Sequence, residues 1–213
     1  MIKDIVVFGA GGLAKEVSVL IKDINKYVAQ FNHIAFAVDD PYYMEGMFIH
    51  NIPVVNRTWL LNHKDSVCCV CTVGYPLVRA RIQESLWEEG VNFVTIIHPL
   101  ARVDEGSNIG AGSVLQHHAA VSIDCSIGKG TFLSDYVNIG HDTHVGDYVT
   151  CFPKSQISGN VFIGNGALIG SLSFINEKRK IGNEAVIAPG SMVFTNVPDG
   201  VHVMGNPARR VEI

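Results

Sequence analysis

The chain has 213 residues, 47% hydrophobic and 17% charged, with a formal net charge of −4; this describes a globular protein of one large domain or two small ones. No Lys/Arg block offers itself to nucleic acid. No apolar run is long enough to span a membrane, and the N-terminus lacks the basic-then-apolar order of a signal peptide, so a cytoplasmic protein with neither partner is expected.

Residues 4–9, DIVVFG, read as a short apolar strand. In the following AGGLAKEVSVLIKDINKYV, Val17, Leu20, Ile21 and Ile24 recur at helical spacing with Lys15, Glu16, Lys22 and Asp23 opposite. A glycine turn between strand and helix aims free backbone N–H groups outward, which suits a phosphate or another anion. IAFAVDD is a second strand ending in Asp39 and Asp40. SVCCVCTVG is a third, ending at Gly74. LVRARIQESLWEEG then reads as an amphipathic helix. The alternation predicts a Rossmann-like α/β domain over residues 1–96, with a parallel sheet whose ligands sit at the carboxyl ends of the strands. Gly11, Gly12, Leu13, Ala14, Lys15, Asp39, Asp40 and Gly74 all fall at such ends. GAGGLA also satisfies the dinucleotide fingerprint, but Asp39 follows Gly9 by 30 residues, where that fold places its acid about 20 on. A mononucleotide or sugar-nucleotide site is therefore expected ahead of a nicotinamide site or a purely structural turn.

From Ile97 the chain counts in sixes. Seventeen anchors run without a slip from Ile97, Val103 and Ile109 to Ile181, Ile187 and Val193. Four residues after each anchor stands a small or β-branched residue, broken only by Arg179, and glycine follows the anchor at Gly110, Gly128, Gly140, Gly146, Gly164, Gly170 and Gly182. A period of six fits neither a helix nor an isolated strand; it is the hexapeptide signature of a parallel β-helix over 97–213, with three units to a coil of 18 residues. The glycines are expected to relieve the backbone at the corners. TNVPDGVHVMGNPARRVEI reads as a tail capping the open end. Cys125 and Cys151 fall on interior positions and Cys68, Cys69 and Cys71 in an apolar strand, with no distant partners completing a zinc site, so all five are expected as structural thiols.

Register sorts the nine histidines. His141, two residues after Ile139, lies at a corner, and one coil away on either side stand Ile123 and Gly159. Gly159 has no side chain, so space for a substrate is expected beside the imidazole. Asp142 could hold one ring nitrogen and raise the basicity of the other, which is what a base needs to take a proton from an amine or hydroxyl attacking a thioester. An ordinary corner histidine with a hydrogen-bonding aspartate fits the same residues. His117 and His118 belong to a different corner, and His144 and His98 read as surface and linker residues.

The segments VVFGAGGLAKEV, AVDD, TIIHP, IGHDTHVGD, SGNVFIGNGALIG, IGNEAVIAPGSMVFTNVPD and VMGNPAR together resemble the hexapeptide-repeat sugar acyltransferases. These are bacterial enzymes that join a small Rossmann-like domain to a left-handed β-helix and include UDP-amino-sugar N-acetyltransferases and sialic-acid O-acetyltransferase relatives. The resemblance implies acetyl-CoA as co-substrate, a nucleotide sugar as acceptor, His141 as general base with Asp142 supporting it, and a homotrimer with the active site between neighbours. It places Thr150, Ser171 and Pro189 along the acetyl-CoA groove and the N-terminal loop residues at the nucleotide sugar. The chain departs from the family pattern at Thr150, where some relatives carry a second histidine, at Lys154, where glycine is common, and at Leu13, where many have histidine. Three alternatives stay open at this stage: acetylation of a sugar hydroxyl, a non-catalytic sugar-nucleotide sensor, and a zinc hydratase, although no H-x-x-x-x-H pair occurs.

Overall fold

The computed structural model describes residues 2–212, and the chain divides after Val94 into two compact units. The first is an α/β layer. Strand β1 (Lys3–Phe8) leads through the glycine turn into α1 (Gly12–Tyr27), whose buried stripe is Ala14, Val17, Ser18, Leu20, Ile21 and Ile24. Strand β2 (Phe31–Val38) follows, then a hairpin of β3 (Phe48–Ile49) and β4 (Ile52–Asn56), helix α2 (Arg57–His63), β5 (Cys68–Cys71) and α3 (Pro76–Glu88). The sheet order is β3-β4-β2-β1-β5, with β4, β2, β1 and β5 parallel and only β3 antiparallel. The order reverses between β1 and β5, which makes their carboxyl ends the crevice at which such sheets hold ligands.

The hairpin and α2 were not expected. Pro53 inside β4 speaks against a strand, yet it pairs only with Phe48 of the short β3, the edge position a proline tolerates. Asn56 caps α2 by accepting the Trp59 N–H at 2.8 Å. Helix α3 also departs from simple amphipathicity, for its buried residues are Pro76, Arg79, Gln83 and Leu86. Arg79 is buried because it has work inside: its Nη1 donates to the carbonyls of Val73 (2.9 Å) and Gly74 (3.2 Å), tying down the β5–α3 turn.

The second unit is a left-handed parallel β-helix of three faces. The first face stacks the strands at 96–97, 114–115, 132–133, 150–151, 168–169 and 186–187; the second those at 102–103 through 192–193; the third those at 108–109 through 180–181. Each strand pairs with the one 18 residues on, as Val121 with Ile139 and Ile139 with Ile157. Anchors from Leu115 to Val193 are buried, whereas Ile97 is 38% exposed and Val103 and Ile109 are half-buried, because the first coil has a stacked neighbour on one side only. The tail adds His202–Met204 parallel to Val186–Ile187 and folds Arg209–Val211 back antiparallel, putting Val203 and Ala208 into the core.

Two details of the repeat differ from expectation. The glycines after the anchors are not there for a left-handed backbone: a Cβ on Gly140 would come within 2.5 Å of Ser158 C and Gly159 N of the next coil. Close stacking of the coils excludes a side chain there. The left-handed residues stand two places later, three after each anchor: His118, Asp124, Tyr136, Asp142, Tyr148, Lys154, Asn160, Leu172, Lys178 and Glu184, with Gly106, Gly112, Gly130, Gly166 and Gly190 completing the column. The small interior register, moreover, bonds as well as packs. Thr131 and Thr143 donate their hydroxyls to Gly146 O (3.0 Å) and Ser158 O (3.1 Å), and Thr131 N donates to Ser113 Oγ (3.0 Å). Arg179 leaves this register: half-buried, it turns its Nε to Glu177 O at 2.9 Å rather than desolvate a guanidinium in the lumen.

Candidate active site

The three edges of the prism carry different chemistry. At the edge from the third face to the first, Asp147, Asn165, Asn183 and Asp199 form a ladder in which each side chain accepts a backbone N–H of the coil before: Lys129 and Asp147 at 2.9 Å, Asn165 at 2.9 Å and Asn183 at 2.8 Å. These polar groups are spent on holding coils together.

At the edge from the second face to the third stands His141, exposed, with Asp142 next to it at φ +55°, a left-handed position that aspartate adopts cheaply. The turn aims the carboxylate back at the ring: Asp142 Oδ2 lies 2.7 Å from His141 Nδ1. A carboxylate only accepts, so Nδ1 carries the proton and Nε2 presents its lone pair. The imidazole lies over Gly159; a Cβ there would sit 2.5 Å from Nε2 and 2.7 Å from Cε1. Gly159 thus makes room for the catalytic candidate's own ring, a correction to the expectation that it opens space for substrate. On the other side of the edge Ile123 is exposed.

The edge from the first face to the second carries a second histidine–carboxylate pair, His117 Nδ1 to Asp135 Oδ1 at 3.2 Å, with His117 packed on the His98 ring at 3.9 Å between centroids. Farther along this edge are half-buried Ser171 and exposed Pro189, one coil apart and directly stacked, since Gly190 N donates to Ser171 O at 2.8 Å. Thr150 is buried in the strand Thr150–Cys151 of the first face and does not stand on that edge. One chain therefore does not bring Thr150, Ser171 and Pro189 together with His141. His144 is exposed on the third face, its Nδ1 2.6 Å from Ser126 Oγ and its ring stacked on Phe162 at 4.9 Å.

In the first unit the loop residues converge as the sheet order requires. Gly9 takes φ +126°, and a Cβ on it would lie 2.8 Å from Thr72 Oγ1, whose hydroxyl donates to Phe8 O at 2.9 Å. Around Gly11 and Gly12 a Cβ would meet open space. Helix α1 has no side-chain cap at Gly11, and its first intrahelical bond is Lys15 N to Gly11 O at 3.2 Å, so the amides of Gly12, Leu13 and Ala14 form the open helix start. The Ala14 side chain itself is buried in α1's inner face, leaving only its backbone to a ligand. Gly74 comes within 4.0 Å of Leu13 Cδ2, measured from the Cβ it lacks. Asp39 is engaged by Arg57 Nη1 at 3.4 Å, while Asp40 is exposed. Sequence reading missed Arg57 and Arg79, because both sit in segments whose spacing says nothing about the strand ends they reach.

The thiols fall away as nucleophiles. All five cysteines are free and buried, and burial pushes Cys151 up to about 12 and Cys71 up to about 11. Among the described residues no helix is long and apolar enough to cross a membrane.

Comparison with known proteins covers the same ground. Residues 4–86 match the model of the PglD N-terminal domain. The GDP-perosamine N-acetyltransferase of Escherichia coli O157:H7 is 30% identical over 213 residues, spanning 97% of this chain and 95% of that protein. The acetyltransferase domain of PglB from Neisseria gonorrhoeae FA1090, solved in complex with acetyl coenzyme A, superposes with a TM-score of 0.87 at 27% identity, covering 99% of this chain and 100% of that one. PerB from Caulobacter crescentus, solved with CoA and GDP-perosamine, shares the fold with a TM-score of 0.86 at 24% identity, over 98% of this chain and 97% of that one.

Proposed function

The chain belongs to the hexapeptide-repeat sugar acetyltransferases, and within that family we propose that it transfers the acetyl group of acetyl-CoA to an amino group of a nucleotide-linked amino sugar. The observation that carries the mechanism is the His141–Asp142 pair: an exposed imidazole, its Nδ1–H held by a carboxylate at 2.7 Å, with Nε2 left to take a proton. The amine attacks the thioester carbonyl as its proton passes to Nε2; the C–N bond forms, the C–S bond breaks, and the proton goes on to the departing thiolate. Asp142 holds the tautomer and steadies the imidazolium that forms in between. Backbone N–H groups of the coils are the available donors for the developing oxyanion.

The acceptor's nucleotide is assigned to the crevice of the 1–96 domain, with the helix start at Gly11–Lys15 facing the diphosphate and Asp39, Asp40 and Gly74 at the neighbouring strand ends. A GDP-linked amino sugar is the first acceptor to test, since the relative of matching length acts on GDP-perosamine. The donor is assigned to Ser171 and Pro189, with Thr150 the least exposed of the three. Because Ser171 and Pro189 occupy a different edge from His141 in one chain, a homotrimer, in which a neighbour's edge faces His141, supplies the missing side of the site. Exposed Tyr136, Phe152, Leu172 and Phe194 are apolar surface that such an interface would cover. The protein is assigned to the cytoplasm, which suits five free thiols.

The test is a turnover screen following CoA release with acetyl-CoA and GDP-, UDP- and dTDP-linked amino sugars, with products checked by mass. One acceptor gaining an acetyl group on nitrogen is expected. Acetyl transfer only to hydroxyls would replace this reading with sugar O-acetylation, and nucleotide binding without turnover would replace it with a sensor.

A further inference from the structure

The end of β2 carries two consecutive carboxylates beside the open helix start that would receive a diphosphate. Two adjacent negative charges there oppose an anionic ligand. The fold treats the two unequally. Strand β4 pairs in parallel with β2, Val38 opposite Asn56, so the first turn of α2 lies alongside the end of β2. From that turn Arg57 reaches Asp39 Oδ1 with Nη1 at 3.4 Å, while Thr58 Oγ1 stands 3.5 Å from Asp40 Oδ1, the outer limit of a hydrogen bond. Arg57 is braced from behind by α3: Nη2 donates to Ser85 Oγ at 2.6 Å and to the Glu89 carboxylate. Its side chain is only 20% exposed; burial works against its charge, yet Glu89 and Asp39 together hold its pKa above the ordinary arginine value.

We propose that Arg57 is a positioning residue of the nucleotide site: shared between Glu89 and Asp39, it offsets the charge of Asp39 and leaves exposed Asp40 as the carboxylate that accepts a hydroxyl of the nucleotide sugar. The inference rests on the acceptor reading above and sharpens it, since Asp39 and Asp40 are otherwise interchangeable neighbours at one strand end. Asp39 becomes scaffold and Asp40 becomes contact. Glu89 and Ser85 fix where the guanidinium sits and do not face the ligand.

Calorimetric titration of GDP, UDP and dTDP into the full-length protein tests this, with the tightest binder carried to the variants and melting temperature recorded for each. R57A is expected to bind about tenfold more weakly, because an uncancelled Asp39 charge then faces the diphosphate. R57Q serves the same comparison if R57A does not fold. The double variant R57A/D39N is expected to recover to within about threefold of wild type, which a merely structural arginine would not allow. D40N is expected to weaken binding about tenfold or more, and E89Q to stay within about twofold. Wild-type affinity in both R57A and R57Q, equal weakness in R57A and R57A/D39N, or unchanged affinity in D40N would overturn the inference. If wild type binds none of the three nucleotides, the acceptor reading falls and takes this inference with it; if wild type binds and R57A binds equally, the inference falls alone.

Discussion

Two edges of the same prism put aspartates and their neighbours to opposite uses. Along the edge from the third face to the first, Asp147, Asn165, Asn183 and Asp199 turn onto the backbone of the preceding coil and satisfy its N–H groups. Along the edge from the second face to the third, Asp142 gives only its backbone N–H to the adjacent coil, at Ile123 O, and turns its carboxylate to the side chain of its own neighbour, His141, leaving Nε2 outward. The difference lies two residues past the anchor. An Asx there reaches the stacked coil's amide. His141 there instead lies flat over Gly159, with the carboxylate displaced to the left-handed position that follows. A polar group that bonds between coils contributes stability; one that bonds within a coil is free to do chemistry.

That contrast is open to attack from either edge. The largest effect is expected from His141→Asn, which removes the proposed base with little change of shape: acetyl transfer should fall by roughly 100- to 10,000-fold, with the melting temperature within about 2 °C of wild type. Gly159→Ala comes next. Its Cβ would stand 2.5 Å from Nε2, so the ring must swing away; a loss of about 100-fold in turnover at near-normal stability is expected, and a fully active Gly159→Ala enzyme would show that the observed ring position is not the working one. Asp142→Asn keeps a residue suited to the left-handed backbone but exchanges the charged carboxylate for a neutral amide, and should cost about 10-fold in turnover. A loss as large as that of His141→Asn would mean the carboxylate does more than orient.

On the other edge Asn165→Ala removes the acceptor for Asp147 N–H and should lower stability by about 1–2 kcal/mol in denaturant unfolding, with acetyl transfer per folded protein unchanged. An effect of similar size, confined to acid pH, lies off the prism. His33 is held neutral, accepting from Ser18 Oγ and donating to Ala35 O, each at 3.0 Å, and burial above all lowers its pKa to about 4. The unfolded chain takes up that proton near pH 6.5, so this contribution is complete above about pH 6.5 and is lost as pH falls toward 4. Partial exposure limits it to roughly 1–2 kcal/mol. A His33→Gln protein should show a correspondingly flatter stability profile over that window.

The prism was legible because each hexad position meets the same environment in every coil, so Ile139 and Ile157 report one another's burial. That register also brought His141 to a corner and Cys125 and Cys151 inside. The same count in eighteens sets Ser171 and Pro189 on the edge of His117 and not on that of His141, whereas the burial of Thr150 in its strand appears only in the structure. The left-handed column escaped notice because His118, Tyr136 and Leu172 are not residues that announce such a backbone. In the first unit α1 followed from its apolar spacing, whereas β3, β4 and α2 were hidden by short length and Pro53. The burial of Arg79 on α3 was not legible, because its partners, the carbonyls of Val73 and Gly74, are neighbours only in the folded turn.

We propose His141, oriented by Asp142 on an edge free of the inter-coil Asx ladder, as the base of an acetyl-CoA-dependent amino-sugar N-acetyltransferase. The most direct test is the initial rate of CoA release by wild type and His141→Asn at saturating acetyl-CoA with the accepted nucleotide amino sugar. Robust wild-type turnover and a loss of at least about 100-fold in the variant at unchanged melting temperature are expected; equal rates in the two proteins would rule His141 out as the base.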